Sequence, residues 1–365
     1  MEVIIKQSEL LDVLQKVTGP TTTKQNFPIL TSVLIETYED QLKLTTTDLD
    51  NTIISFSKAN IIKPGKVVVS FKKLISIIRE LPTQEITLEL VKNNLSVKCE
   101  NIEFKVSILD SEEFPKVEHI KKTALIKIDP QELIYIIKLS SFCVGYEDTN
   151  YVLNGILFEI YENQINAVST DGKRLAFIKR NLPQSQSELK SKLQFILPIK
   201  AVNEIQKLIK DKEEEIYFFV EKNKIGFDFK NTQIITRPIE GEFPNYDQYI
   251  PKPYPNKLII NRRDFLSAFK RAALLSTPDY QSVKLELKKD EVIISKSTPQ
   301  WGEVRENVPC QYEGKSFQIG FNPNYLIDVL RNLEEEYVNF EFFDIDKPAV
   351  LRKDDYVYLV LPMKI

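Results

Sequence analysis

VIIKQSELLDVL at residues 3–14, LIKIDPQELIYII at 125–137 and LIINRRDFLSAF at 258–269 share one pattern. Each is a short apolar strand, a polar break, then apolar residues at helical spacing. Aligning Glu9 with Glu132 and Asp264 gives offsets of 123 and 132 residues. Further along, SVLIETYEDQLKLTTTDLD (32–50) is matched by GILFEIYENQINAVSTDGK (155–173) and, more weakly, by SVKLELKKDEVIISK (282–296). A strand then feeds a second helix in VVVSFKKLISIIREL (67–81), FILPIKAVNEIQKL (195–208) and FQIGFNPNYLIDVL (317–330), with Leu74, Val202 and Leu326 aligned. Three short strands close each copy, beginning near Ile86, Ile216 and Val338. The period is far above that of solenoid repeats, so each copy is long enough to be a domain. The expected boundaries are 1–122, 123–251 and 252–365.

Each repeat reads β-α-β-β-β-β-α-β-β-β, which divides into two β-α-β-β-β halves. Alternation in ITLEL (86–90) and NLSVK (94–98) marks strands, with Asn93-Asn94 and Lys222-Asn223 as hairpin turns. Leu10, Val13, Leu14 and Val17 line one face of the first helix, with Ser8 as its N-cap and Gly19-Pro20 as its stop. Two helices per repeat can cover the apolar face of an antiparallel sheet, which makes the fold class α+β.

Composition excludes several functions. The lone histidine, His119, lies in a charged linker, which leaves histidine-based triads and His/Cys zinc sites without ligands. Neither a Walker phosphate loop nor a dinucleotide fingerprint occurs, so no cofactor is expected. The pairs Asp48/Asp50 and Asp354/Asp355 fall at turns between strands, where aspartate has a structural use, and no metal is expected. Cys99, Cys143 and Cys310 occupy unrelated places in the repeats and read as reduced core thiols. The longest apolar runs are strand-sized, and Glu2, Lys6 and Glu9 interrupt the start, so a cytoplasmic protein without a membrane partner is expected.

The net charge is −3, from 49 basic and 52 acidic residues, yet the bases gather on expected helices. Lys72, Lys73 and Arg79 fall on one, Lys200, Lys207, Lys210 and Lys212 on another, and Arg262, Arg263, Lys270 and Arg271 on a third. The acidic excess sits in strands and loops. A positive helical surface would face phosphates while the acidic remainder repels them. No aromatic platform is evident on those helices, so such contacts would carry little sequence information.

Four motifs resemble one family. STDGKRLAF (169–177), EGEFPNY (240–246), NFPILTSV (26–33) and the terminal YLVLPMKI (358–365) closely resemble the bacterial DNA polymerase III beta subunit, the sliding clamp, in order and over the full length. The resemblance implies three tandem clamp domains, with helices lining a ring and antiparallel sheets outside. It implies a head-to-tail homodimer that encircles duplex DNA without catalysing a reaction. The implied partners are the clamp loader, the replicative polymerase catalytic subunit and other proteins bearing a clamp-binding motif. The implied partner groove comprises Leu153, Thr170, Gly172, Lys173, Arg174, Leu175, Pro244, Tyr249, Leu359, Leu361, Pro362 and Met363. Implied DNA contacts are Lys24, Arg79, Tyr151 and Lys200, and the implied dimer contacts are Phe104 and Val106 against Leu274 and Leu275. Lys173 and Gln248 depart from the family's common histidine and arginine, which bears on peptide preference.

Geometry agrees with two chains per ring. Helices pack about 9 Å apart, so six would enclose a circle of roughly 17 Å, mostly filled by the helices themselves. Twelve give roughly 34 Å and a bore of about 24 Å, wide enough for a duplex. Two readings from other classes stand beside this one: a metal-dependent nucleic-acid hydrolase or transferase using paired carboxylates, and a scaffold that never touches DNA.

Overall fold

The structure is a computed structural model that describes residues 1–22, 27–117, 126–145, 149–182, 192–209, 215–221 and 223–365. Helical periodicity becomes six α-helices among the described residues: α1 (Gln7–Lys16), α2 (Phe71–Glu80), α3 (Pro130–Ser140), α4 (Ile199–Leu208), α5 (Arg262–Ala273) and α6 (Pro323–Asn332). The apolar stripe is explicit in α2, where Phe71, Leu74, Ile75 and Ile78 are buried, and in α5, where Phe265, Ala268, Phe269 and Ala272 are. The Asn261 side chain caps α5 by accepting from the amides of Arg263 (3.0 Å) and Asp264 (3.2 Å), and Asn322 caps α6 from the amide of Asn324 (3.0 Å).

Residues 10, 13, 14 and 17 are buried as their spacing requires, but Ser8 is not the cap of α1. The helix starts one residue earlier, at Gln7, whose buried side chain donates to the Ile78 carbonyl in α2 at 2.7 Å. That tertiary bond outweighs the local capping preference of serine. The expected hairpin turn also moves by one. Val91 pairs with Asn94, so the turn is Lys92-Asn93, with Lys92 at φ +52°. Glu221 pairs with Lys224 around the second expected turn, of which Lys222 lies outside the described residues.

The halves of each repeat exchange strands. The first strand pairs with the first of the closing three, as Val3↔Leu88, Lys127↔Tyr217 and Ile259↔Asn339 record. The strand that feeds the second helix pairs back into the other half, as Leu34↔Val68, Leu157↔Ile196 and Leu285↔Ile319 record. Each repeat thus yields two groups of antiparallel strands, and the first repeat adds an edge strand, Asn60–Lys63.

Strand pairing between repeats gives two compact units, each continuous through one sheet. The first contains Met1–Gln131 and Lys200–Pro238; the second contains Glu132–Ile199 and Ile239–Ile365. In the first, Thr232–Thr236 pairs with Asn51–Lys58, extending the sheet to 13 strands among the described residues. In the second, Arg174–Asn181 pairs with Tyr356–Val360, giving 12. The central repeat therefore contributes one strand group to each unit. Cores lie between helices and sheet: α1 packs on α2 and on Asn51–Lys58, and α5 packs on α6 and on Gly302–Glu313. Cys99 and Cys143 are buried, whereas Cys310 is only partly so, contrary to its reading as a core thiol, although it shares a strand face with the buried Val308 and Tyr312. Among the described residues no helix is long and apolar enough to cross a membrane, and no group of three or more His, Cys, Asp or Glu side chains is placed to hold a metal ion.

Candidate functional site

The second unit holds a cavity of about 760 Å³ built around the turn of TDGKR. Strands Gln164–Thr170 and Arg174–Asn181 pair up to Thr170↔Leu175, leaving residues 171–174 to reverse the chain. Asp171 organises the reversal, its Oδ1 accepting from the amides of Lys173 and Arg174, both at 2.9 Å. Gly172 sits at φ +79° with open space where a Cβ would be, so conformation rather than crowding requires glycine. The Thr170 hydroxyl donates to the Arg174 carbonyl at 2.6 Å and accepts from the Gly172 amide at 3.0 Å.

Arg174 fixes the turn to α6. Its Nη1 donates to Asp328 at 2.7 Å, its Nε donates to Asp171 at 3.0 Å, and its guanidinium lies 4.5 Å from the centre of the Tyr325 ring. Burial opposes its charge, but the surrounding acidic groups, Asp328 and Asp171 among them, outweigh that and hold its pKa above the ordinary value.

The opposite wall is strand Tyr356–Val360 and the residue after it: Leu175 pairs with Leu359, and the Leu361 amide donates to the Lys173 carbonyl at 2.9 Å. Leu153, Leu175, Phe243, Tyr246 and Leu359 form a buried floor within one apolar cluster, while Tyr249 and Leu361 stand exposed on the rim. Tyr246 donates its hydroxyl to Glu159 Oε2 at 2.6 Å, and that carboxylate also accepts from Lys192 Nζ at 2.5 Å and from Asn166 at 3.5 Å. Burial alone would raise the Glu159 pKa; the bonds from Lys192 and Tyr246 outweigh it and hold the carboxyl below its usual range. The Tyr246 phenol is pushed up, by burial first and then by the bond to Glu159.

Ten of the twelve groove residues expected from the sequence line this one cavity: Leu153, Thr170, Gly172, Lys173, Arg174, Leu175, Pro244, Tyr249, Leu359 and Leu361. Pro362 and Met363 do not. The Met363 amide donates to the Gly320 carbonyl at 2.8 Å, and Met363 lines a separate cavity with Tyr280 and Lys296. The sequence reading missed Phe243, Tyr246, the run Pro251-Lys-Pro-Tyr-Pro255, and Phe343, Lys347 and Pro348. The proline run is plain in the sequence and spans the expected boundary between residues 251 and 252, but nothing in its local pattern ties it to the TDGKR turn.

Three family models match the chain in order: the DNA polymerase III beta subunit N-terminal domain over residues 1–118, its central domain over 127–245 and its C-terminal domain over 247–364. The chain belongs to the DNA polymerase III beta subunit family. It is 31% identical to the beta sliding clamp of Pseudomonas putida over 370 residues, covering the whole of both chains. It is 28% identical to that of Chlamydia pneumoniae, covering 100% of this chain and 99% of the relative. Among solved structures, the DNA polymerase sliding clamp of Pseudomonas aeruginosa matches with a TM-score of 0.93 at 30% identity over all of both chains. That of Bacillus subtilis matches with a TM-score of 0.94 at 26% identity, covering 100% of this chain and 99% of the other. The protein is thus a sliding clamp of DNA polymerase III, a processivity factor of DNA replication and not an enzyme.

The remaining residues drawn from the clamp resemblance fall as follows. Lys24 lies outside the described residues, as does His119. Arg79 is exposed at the end of α2 beside the equally exposed Lys72 and Lys73, and none of the three makes an ion pair among the described residues. Lys200 is exposed at the start of α4, where Lys207 is tied to Glu204 at 2.7 Å; Lys210 and Lys212 lie outside the described residues. The basic face expected of α5 is half consumed by structure. Arg262 donates to the carbonyls of Glu335 (2.7 Å) and Leu330 (2.9 Å), and Arg271 forks onto Glu306, leaving Arg263 and Lys270. Tyr151, 57% exposed, stands on the short turn that delivers Leu153 to the groove.

The expected dimer residues are not core. Phe104 is 39% exposed and Leu274 is 81% exposed; Val106 and Leu275 are partly buried. Phe104 belongs to strand Ile102–Leu109, which pairs along one side with Asn94–Cys99 but on the other only at Ile108 and Leu109. Likewise Gly302–Glu313 pairs with Glu291–Thr298 through residues 302–309, while its second side is paired only from Cys310 to Glu313. Each unit therefore has an open strand edge among the described residues.

Proposed function

We propose that two copies of this chain join head to tail into a closed ring around duplex DNA, and that the groove tethers the polymerase and other partners to it. The observation that carries the proposal is the pair of open edges, Ile102–Ser107 and Gly302–Pro309, each accompanied by exposed apolar side chains. An open edge with unpaired amides and carbonyls is a template for another strand. Edge 102–107 of one copy pairing with edge 302–309 of the next, with Phe104 and Val106 packed on Leu274 and Leu275, satisfies both. Because the two surfaces differ, the contact is heterologous and must close or polymerise.

In this reading the domains are 1–122, 123–251 and 252–365, and their helices line the bore. Lys24, Arg79, Tyr151 and Lys200 meet DNA, the first, second and fourth as phosphate contacts. Such contacts hold without reading sequence, which permits sliding. Partners then meet an apolar groove suited to a short peptide. A clamp loader opens the ring onto DNA, the replicative polymerase catalytic subunit and other proteins with a clamp-binding motif compete for the groove, and the ring works in the cytoplasm. Sedimentation equilibrium tests the assembly: a stable particle of twice 42.4 kDa is expected, and a strict monomer at micromolar concentration refutes the ring.

A further inference from the structure

The groove extends well past the residues that the clamp resemblance supplied. One flank is the segment Pro251-Lys-Pro-Tyr-Pro255, facing the turn that carries Phe343, Lys347 and Pro348. Three hydrogen bonds fix this flank to the sheet: Arg352 Nη2 donates to the Pro251 carbonyl at 2.9 Å, the Tyr254 amide donates to Glu341 at 3.1 Å, and Asn256 Nδ2 donates to the Phe343 carbonyl at 3.2 Å. The alternating prolines restrict its backbone further. The Tyr254 and Phe343 rings lie 5.5 Å apart, centre to centre, and Phe343 is half exposed. An apolar shelf held this firmly costs little ordering on binding.

The charge around the cavity has one sign. Lys173, Lys252 and Lys347 line it, no aspartate or glutamate does, and the three lysines make no ion pair among the described residues. Arg174, the fourth base, is already matched by Asp328 and Asp171. The acidic side chains adjacent in sequence to lining residues, Asp171, Glu242, Asp247, Asp344 and Asp346, are not part of the lining; Asp171 is bound to Arg174, and Asp344 accepts the Asp346 amide at 3.0 Å. On a chain with a net charge of −3, an apolar cavity ringed only by unpaired ammonium groups is a local inversion of sign.

We propose that the peptide this groove selects is acidic as well as apolar. One of its apolar side chains rests on Tyr254 and Phe343, and a flanking carboxylate faces Lys252 and Lys347. This rests on the groove being the partner site, and it names what distinguishes this chain's partner segments: a carboxylate beyond the apolar residues that fill the floor of Leu153, Leu175 and Leu359.

The test uses the full-length protein and two fluorescein-labelled decapeptides with one shared Leu-Leu-Phe core. One carries glutamates on both flanks, the other glutamines. Anisotropy titrations at low salt should give the glutamate peptide about five- to tenfold tighter binding, the yield of two partly exposed ion pairs. Raising salt to about 0.5 M should remove most of that preference. The double variant Lys252→Gln/Lys347→Gln should reduce it to below about twofold, with an unchanged thermal transition and circular dichroism spectrum certifying its fold. Equal affinity of the unaltered protein for both peptides overturns the inference and leaves the groove standing. A preference that survives the double variant overturns the assignment to these lysines. Binding of neither peptide overturns the groove reading itself, and the inference with it.

Discussion

Tyr246 joins the groove floor to a buried carboxylate, and removing one oxygen atom tests that join. Tyr246→Phe keeps the ring, which packs 5.7 Å from Phe177, and deletes the donor 2.6 Å from Glu159 Oε2. No cavity opens, so the cost is that of one hydrogen bond to a charged group, about 1.5–3 kcal/mol. Lys192 and Asn166 still serve Glu159, which favours the lower end. The unit containing the site spans residues 132–199 and 239–365. For a body of that size about 1 kcal/mol moves Tm by roughly 2–4 °C, so a fall of roughly 3–8 °C in its calorimetric transition is expected. The fold holds the Glu159 carboxyl below its usual range, so its contribution is present above that range and fades as pH falls through the folded value. The gap between the two proteins should therefore narrow in acid. In a cycle with Glu159→Gln, the coupling should be about 1 kcal/mol. A Tm change below about 1 °C at neutral pH, or strict additivity in the cycle, refutes the reasoning.

Three further outcomes are expected. Leu274→Asp should raise the dimer dissociation constant by about 10²–10⁴, because a leucine that is 81% exposed in the single chain is buried twice per ring at about 1.5–3 kcal/mol each; analytical ultracentrifugation reads it. Arg79→Gln with Lys200→Gln should lower the salt slope of binding to short duplexes by about 0.9 for each phosphate no longer neutralised, a change visible in anisotropy titrations across salt. Gly172→Val should weaken peptide binding and lower Tm at a cost of about 1–3 kcal/mol, since φ +79° is open to glycine and strained for a β-branched residue.

Much of this molecule is written at short range. The spacing of Phe71, Leu74, Ile75 and Ile78 specifies both a helix and its buried face, and the Asp-Gly pair in the STDGKRLAF run specifies a hairpin turn, in which Gly172 sits at φ +79°. Long-range pairing was less legible. That Val3 pairs with Leu88, or that Thr232–Thr236 continues the sheet of Asn51–Lys58, depends on which edges meet, and alternation is the same for every candidate edge. Charge shows the same limit. Arg262 and Arg263 are adjacent and alike in sequence, yet one is consumed by the carbonyls of Glu335 and Leu330 while the other faces solvent. Met363 follows Leu361 by two residues but is drawn to Gly320 by a backbone bond that no local pattern announces.

Encirclement is a matter of topology, and topology can be cut. The protein, labelled and loaded by a clamp loader onto a nicked circular plasmid, should stay bound through gel filtration in about 0.5 M salt, where exposed phosphate contacts are largely screened. Cutting the plasmid once with a restriction enzyme should release it, because a ring then slides off the ends. Release by salt alone, or retention that ignores the cut, would contradict encirclement.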